Sequence, residues 1–259
     1  MTGAEQIIYF HGLPGSDQEI ALFGSDVAAC AKGFHVCDRA SARIGKSSAD
    51  YFKQIAADIE RDFPGMPLRL IGFSIGASTA LRTAPYLGEQ VRHVDLVSAA
   101  APLNLGSYLE CMAGAAIFKI ARASPFLFGM LGSAQSAMAK LFPRRLQSML
   151  FASAQGDDVA LTENPEFKAA MNQILRQCLG KGLSSYRHEI LLYTENWLDE
   201  LDHVTAPVSL LHGKADNWSP VAMAEDLAKR LPVCRSLQVL DGQSHYSTLR
   251  QFLLNHSFG

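Results

Sequence analysis

Short apolar runs and longer amphipathic stretches alternate along this chain, the pattern of strands in a mainly parallel sheet with helices on its faces. Gln6-Ile7-Ile8-Tyr9-Phe10 is predicted as a buried strand and Phe34-His35-Val36-Cys37-Asp38 as a second. Ser48 to Phe63 has helical periodicity, entered through serines and left at Pro64-Gly65. Leu68 to Phe73 is a third strand. The small residues after Ser74 start a helix that runs to about Leu87, and Val94 to Val97 is a fourth strand.

From about Leu103 to His203 no strand pattern emerges, only helix-like stretches rich in Ala, Leu, Met and Phe. The alternation resumes with the strand Val208-Ser209-Leu210-Leu211, a helix from about Pro220 to Leu231, the strand Leu237-Gln238-Val239-Leu240 and a last helix near Ser247 to Asn255. A helical block of about a hundred residues is therefore expected between two parts of one sheet, with residues 1–102 and 204–259 as the core and 103–203 as the insertion. No internal repeat, low-complexity tract or flexible linker is visible.

Composition narrows the class. The chain has 259 residues, 48% hydrophobic and 19% charged, a globular balance rather than a disordered one. Lys and Arg total 23 against 25 acids, so no basic excess argues for nucleic acid as a partner. Cys30, Cys37, Cys111, Cys178 and Cys234 are odd in number and scattered, neither a disulfide framework nor a zinc site. The first six residues show no signal-peptide pattern. The most membrane-like window, Cys111 to Leu131, is interrupted by Lys119, Arg122 and Pro125, so no span is expected. The default expectation is a soluble cytoplasmic protein, as a monomer or a homodimer.

Candidate chemistry begins at Gly72-Phe73-Ser74-Ile75-Gly76, a G-x-S-x-G motif placed between a predicted strand and a helix. That context distinguishes a nucleophile turn from a Gly/Ser helix start used only for packing. His11-Gly12-Leu13-Pro14-Gly15-Ser16 follows the first strand; its Leu13 N–H, with that of Ile75, is placed to stabilise an oxyanion. It matches neither phosphate-binding glycine pattern. Asp216, in His212-Gly213-Lys214-Ala215-Asp216, and His245, in Gly242-Gln243-Ser244-His245, each follow a strand end. A lone Asp there is usually a turn residue and a lone His structural, but the order Ser, Asp, His beyond three strand ends favours a triad. Asp95 lies within a strand and is read as an edge or structural residue. His11 is read as a backbone brace, and Trp218 as a core residue or a wall of the pocket. His35, His93, His188, His203 and His256 show no convincing metal spacing, and Arg144-Arg145 reads as a solvated pair.

These segments together resemble the α/β-hydrolase superfamily over about residues 6–102 and 204–256. Asp38-Arg39 with Gly45 and Ser47 is similar to the family's loop after the next strand. The resemblance implies that the helical block is a cap. It also implies a sheet shortened to about six strands, because only five residues precede the first one. Serine at position 74 argues against the aspartate-nucleophile epoxide hydrolases and haloalkane dehalogenases. The implied activity is hydrolysis of a small, apolar carboxylic ester through Ser74, His245 and Asp216, without metal or organic cofactor. Thioester, lactone or carbon–carbon bond hydrolysis on the same triad is the alternative, followed by a non-catalytic ligand-binding protein on this fold.

Overall fold

The computed structural model describes residues 5–40 and 47–255. Gly45 and His256 lie outside the described residues, as do positions 1–4 at the start of the chain. Six parallel strands form one sheet in the order β2-β1-β3-β4-β5-β6. They are β1 (Gln6–Phe10), β2 (Phe34–Val36), β3 (Leu68–Phe73), β4 (Val91–Val97), β5 (Val208–Gly213) and β6 (Cys234–Leu240). The two edges differ from the middle: β2 has three residues, and β6 exposes much of its length, whereas β1, β3, β4 and β5 are almost wholly buried. Central strands covered on both faces need continuous apolar runs, which is why these four were legible.

Chain order reverses at β1, whose neighbours are β2 and β3. A crevice opens at such a switch point, outside the carboxyl ends of the strands. Helix α1 (Ser25–Cys30) precedes β2, and α2 (Ser48–Asp62) follows it. The Ser47 hydroxyl caps α2 by accepting the Asp50 N–H at 3.1 Å. Tyr51, Phe52, Ile55, Ala56 and Ile59 form its buried stripe, at the spacing that puts one face on the core. Helix α3 (Gly76–Leu87) is buried almost throughout and packs against both α2 and the sheet.

Between β4 and β5 the chain is helical: α4 (Ala115–Ala123), α5 (Pro125–Leu141), α6 (Pro143–Leu150), α7 (Asp158–Glu163), α8 (Pro165–Cys178) and α9 (Leu183–Thr194). Ser124 caps α5 and Asn164 caps α8, each followed by proline at the first helical position. A buried polar link ties this segment to the sheet: Arg39, just after β2, lies 3.4 Å from Glu189 of α9, which accepts the Tyr51 hydroxyl at 2.8 Å. Helices α10 (Val221–Arg230) and α11 (His245–Asn255) complete the fold.

Several sequence expectations shift. β5 runs on to Gly213 and β6 begins at Cys234. β2 stops at Val36, two residues early, although the Cys37 N–H still reaches the Tyr9 carbonyl. β4 begins at Val91, because backbone pairing continues through Arg92 and His93 where the apolar run does not. Asp95 is no edge residue: β4 is central, and Asp95 is buried with Arg69 Nε at 2.6 Å and His93 Nε2 at 3.4 Å.

Candidate active site

Ser74 sits on the turn between β3 and α3 with φ of 56°, the left-handed region that a side chain enters only when its surroundings compel it. The turn is held by the Ser74 N–H on the Val97 carbonyl at 3.0 Å and by the Ser74 carbonyl accepting Ala100 N–H at 3.1 Å. Two glycines make room for it. A Cβ at Gly72 would stand 2.6 Å from the Ala77 Cα, and one at Gly76 would overlap the Phe10 carbonyl oxygen. The motif's glycines thus serve a close crossing of β1, β3 and α3.

Ser74 lines a cavity of about 160 Å³ together with Leu13, Ile75 and Trp218. Met112, Ile117, Phe118, Leu146 and Leu150 of the helical segment form much of the opposite wall. None of the described residues that line it has a charged side chain. Among the described residues, no protein acceptor takes the Leu13 or Ile75 backbone N–H. Ile75 also precedes the first turn of α3, the positive end of its dipole.

His245 is buried beside this cavity rather than lining it. Its ring stacks on Trp218 at 5.7 Å and 18°, with the Phe73 ring 4.8 Å away on the strand that delivers Ser74. Nδ1 of His245 lies 2.8 Å from Asp216 Oδ2. The other Asp216 oxygen accepts the Trp218 and Ser219 N–H groups, each at 2.9 Å. Burial by itself would raise the Asp216 carboxyl, but the nearby imidazoles and these hydrogen bonds hold it below its ordinary value. Burial would lower His245; the Asp216 carboxylate outweighs it and leaves the imidazole above its ordinary value.

Several contributors escaped sequence reasoning. Asp158, at the start of α7, accepts the Tyr246 N–H at 3.0 Å and the Ser247 N–H at 2.7 Å, capping α11 directly behind His245. Glu19 is fully buried; one oxygen takes the Gly12 N–H at 2.9 Å and the Tyr9 hydroxyl at 2.7 Å, fixing the loop that carries Leu13. Burial pushes its carboxyl up to about 7. His11, read from the sequence as a brace for this loop, places Nδ1 2.8 Å from the Gly12 carbonyl, and Arg39 donates to the His11 carbonyl at 2.6 Å. An acid a few residues after a loop, or inside a helical block, carries no local mark of such roles.

His212, in the acid segment, places Nε2 2.7 Å from the Ser219 carbonyl and 3.6 Å from Asp216, so it supports the Asp216 turn. Arg144 and Arg145 are exposed. Among the described residues no group of three or more His, Cys, Asp or Glu side chains could hold a metal ion.

A stretch of 34% identity over 121 residues links the chain to a pimeloyl-[acyl-carrier protein] methyl ester esterase of Aromatoleum aromaticum, covering 44% of this chain and 46% of that protein. The chain thus spans just under half the length of that curated relative. A bromoperoxidase of Bacillus anthracis shares the fold at a TM-score of 0.67 and 15% identity, over 97% of this chain and 89% of its own. The enol-lactonase of Burkholderia xenovorans LB400 does so at 0.66 and 17% identity, over 96% and 87%. Residues 39–249 match the model of the serine aminopeptidase S33 family, which takes in the Ser74 turn, Asp216 and His245. With its six-stranded parallel sheet and this match over most of its length, the chain belongs to that family of α/β-hydrolases.

Proposed function

We propose that the protein is a serine hydrolase that cleaves small, uncharged carboxylic esters. The observation that carries this reading is a Ser74 cavity with no charged side chain among the described residues of its wall. An aminopeptidase must hold the substrate's ammonium group, and a buried cation without a carboxylate partner is strongly disfavoured. An apolar ester needs no such partner. The esterase relative supports the same choice of bond.

In the proposed reaction Ser74 Oγ attacks the ester carbonyl while His245 takes its proton. Asp216 holds the imidazole through Nδ1 and stabilises the imidazolium. The Leu13 and Ile75 N–H groups receive the oxyanion. His245 then returns the proton to the leaving alcohol, and a water it activates releases the acyl group from Ser74. The residues present complete this cycle without a metal or organic cofactor.

The helical segment 103–203 acts as the cap in this reading, over core segments 1–102 and 204–259. The substrate is a small molecule, and no helix among the described residues is long and apolar enough to cross a membrane. All five cysteines are free, which supports a cytoplasmic setting. Thioester or lactone cleavage uses the same serine and oxyanion donors, and the enol-lactonase likeness keeps lactones in the test.

The test is labelling by a fluorophosphonate probe, followed by rates on p-nitrophenyl esters, acyl thioesters, lactones and aminoacyl p-nitroanilides. Labelling at Ser74 with esters preferred is the expected outcome. Absence of labelling, or a preference for the aminoacyl anilides, overturns the proposal.

A further inference from the structure

Among the described residues, nothing packs on the outward face of α5. Leu127, Met130, Ala134, Ala137 and Leu141 recur at spacings of three and four and are all exposed, whereas Phe128, Gly132, Ser136 and Ala139 face inward and are buried. A helix apolar on both faces is normally enclosed on both. Phe126 and Phe142 extend the stripe at its two ends, and the large side chains among these are 54% to 75% exposed. Half of the exposed large hydrophobic residues in the described structure fall between positions 126 and 149.

Charge along this segment of the chain has one sign. Lys119 and Arg122 before the stripe in sequence, and Lys140, Arg144 and Arg145 at its end and beyond, are exposed, and residues 111–156 contain no acid, in a chain whose net charge is −2. This segment begins in the window where the sequence most resembles a membrane segment. At 17 residues α5 is about 25 Å long and can lie along a surface.

We infer that α5 docks this protein reversibly on an anionic lipid surface, its apolar stripe entering the headgroup boundary and the flanking Lys and Arg residues meeting lipid phosphates. Interfacial anchoring of this type combines an exposed apolar face with basic flanks. A second copy of the chain fits less well. Paired antiparallel, α5 would set Lys119 and Arg122 of one copy near Lys140, Arg144 and Arg145 of the other; paired parallel, each charge would face its own counterpart. A protein partner would also need hydrogen-bonding groups, and the Ser133 hydroxyl beside the stripe is already engaged by the Gly129 carbonyl and Arg187. Hydrocarbon needs none. The inference rests on this outer face alone and stands whether or not Ser74 is a nucleophile.

It is tested by sedimenting the full-length protein with vesicles of phosphatidylcholine alone and of phosphatidylcholine mixed with an equal amount of phosphatidylglycerol. The expected result is binding to the anionic vesicles roughly tenfold or more above the neutral ones, weakening as salt rises. L127S/L141S should lose that binding, and R144Q/R145Q should lower it by roughly fivefold per charge. None of these four residues lines the Ser74 cavity, so p-nitrophenyl butyrate hydrolysis and circular dichroism should match the wild type in both variants. If the serine variant does not fold, the glutamine variant decides. Absence of wild-type binding to anionic vesicles at low salt, or equal binding by the glutamine variant, overturns the proposal. So does a wild-type dimer that L127S/L141S splits while neither protein binds vesicles, which would assign the stripe to a second copy.

Discussion

Asp158 Oδ2 accepts the Tyr246 N–H at 3.0 Å, so the helix that opens with His245 is capped by a carboxylate from the inserted helical segment. Neighbouring residues reinforce this clamp: the Asp157 N–H meets the Gly242 carbonyl at 2.9 Å, and the Gln243 side chain donates to Asp157 at 2.5 Å. The segment after β4 therefore helps to fix the loop that presents the imidazole. It does more than roof a cavity.

In the proposed mechanism the pH dependence follows from this arrangement. Asp216 raises His245 above the ordinary histidine value, with smaller contributions from Asp158 and Glu19. A protonated imidazole cannot take the serine proton, so kcat/KM is lost as pH falls through that raised pKa. The acid limb should have its midpoint above about 6.5. Asp158→Asn removes one of the charges that favour the imidazolium and should move the midpoint downward. A pH–rate profile of both proteins on one ester checks this; an unmoved limb would reduce Asp158 to a structural cap.

Replacing Asp216 tests the orienting acid. Asp216→Asn keeps an oxygen for the Trp218 and Ser219 N–H groups but gives His245 an uncharged partner. The expected outcome is a fall in kcat of roughly 10⁴-fold, by analogy with the serine-protease triad. Activity within a few-fold of wild type would show that another group orients the imidazole.

Glu19 should leave a mark on stability. Its carboxyl is raised from 4.5 to about 7 in the folded chain, chiefly by burial. Across that window the folded state keeps a proton that the unfolded state has lost, so the group's contribution falls as pH rises and is flat above about 7. Glu19→Gln removes the titration. The Tm of wild type should therefore decline relative to the variant between pH 4.5 and 7, and thermal melts at a series of pH values read it directly.

The cavity wall predicts a chain-length preference. Burying each further CH₂ against Ile117, Phe118 and Leu146 gains about 0.8 kcal/mol, close to fourfold in kcat/KM. Along a p-nitrophenyl ester series, kcat/KM should rise from acetate until the cavity is filled. A fall from the shortest ester onward would instead indicate a small, polar substrate.

Local pattern alone determined much of this protein. The continuous apolar runs of β1, β3 and β5 are legible because central parallel strands are buried on both faces. The glycines around Ser74 are legible because a sharp crossing excludes a Cβ, and Asp216 and His245 because each follows a strand end. What the tertiary structure decided are relationships between residues far apart in the chain. Asp158 meets the N–H of Ser247 across 89 positions, and Tyr51 meets Glu189 across 138. Glu19 is close in sequence to Gly12, yet its burial and its bond to that N–H depend on how the loop folds back. Apolar periodicity records which face is buried, since every turn or pleat repeats the requirement. A single buried carboxylate has no period; its role is set by one partner in space, and folding is what brings that partner near.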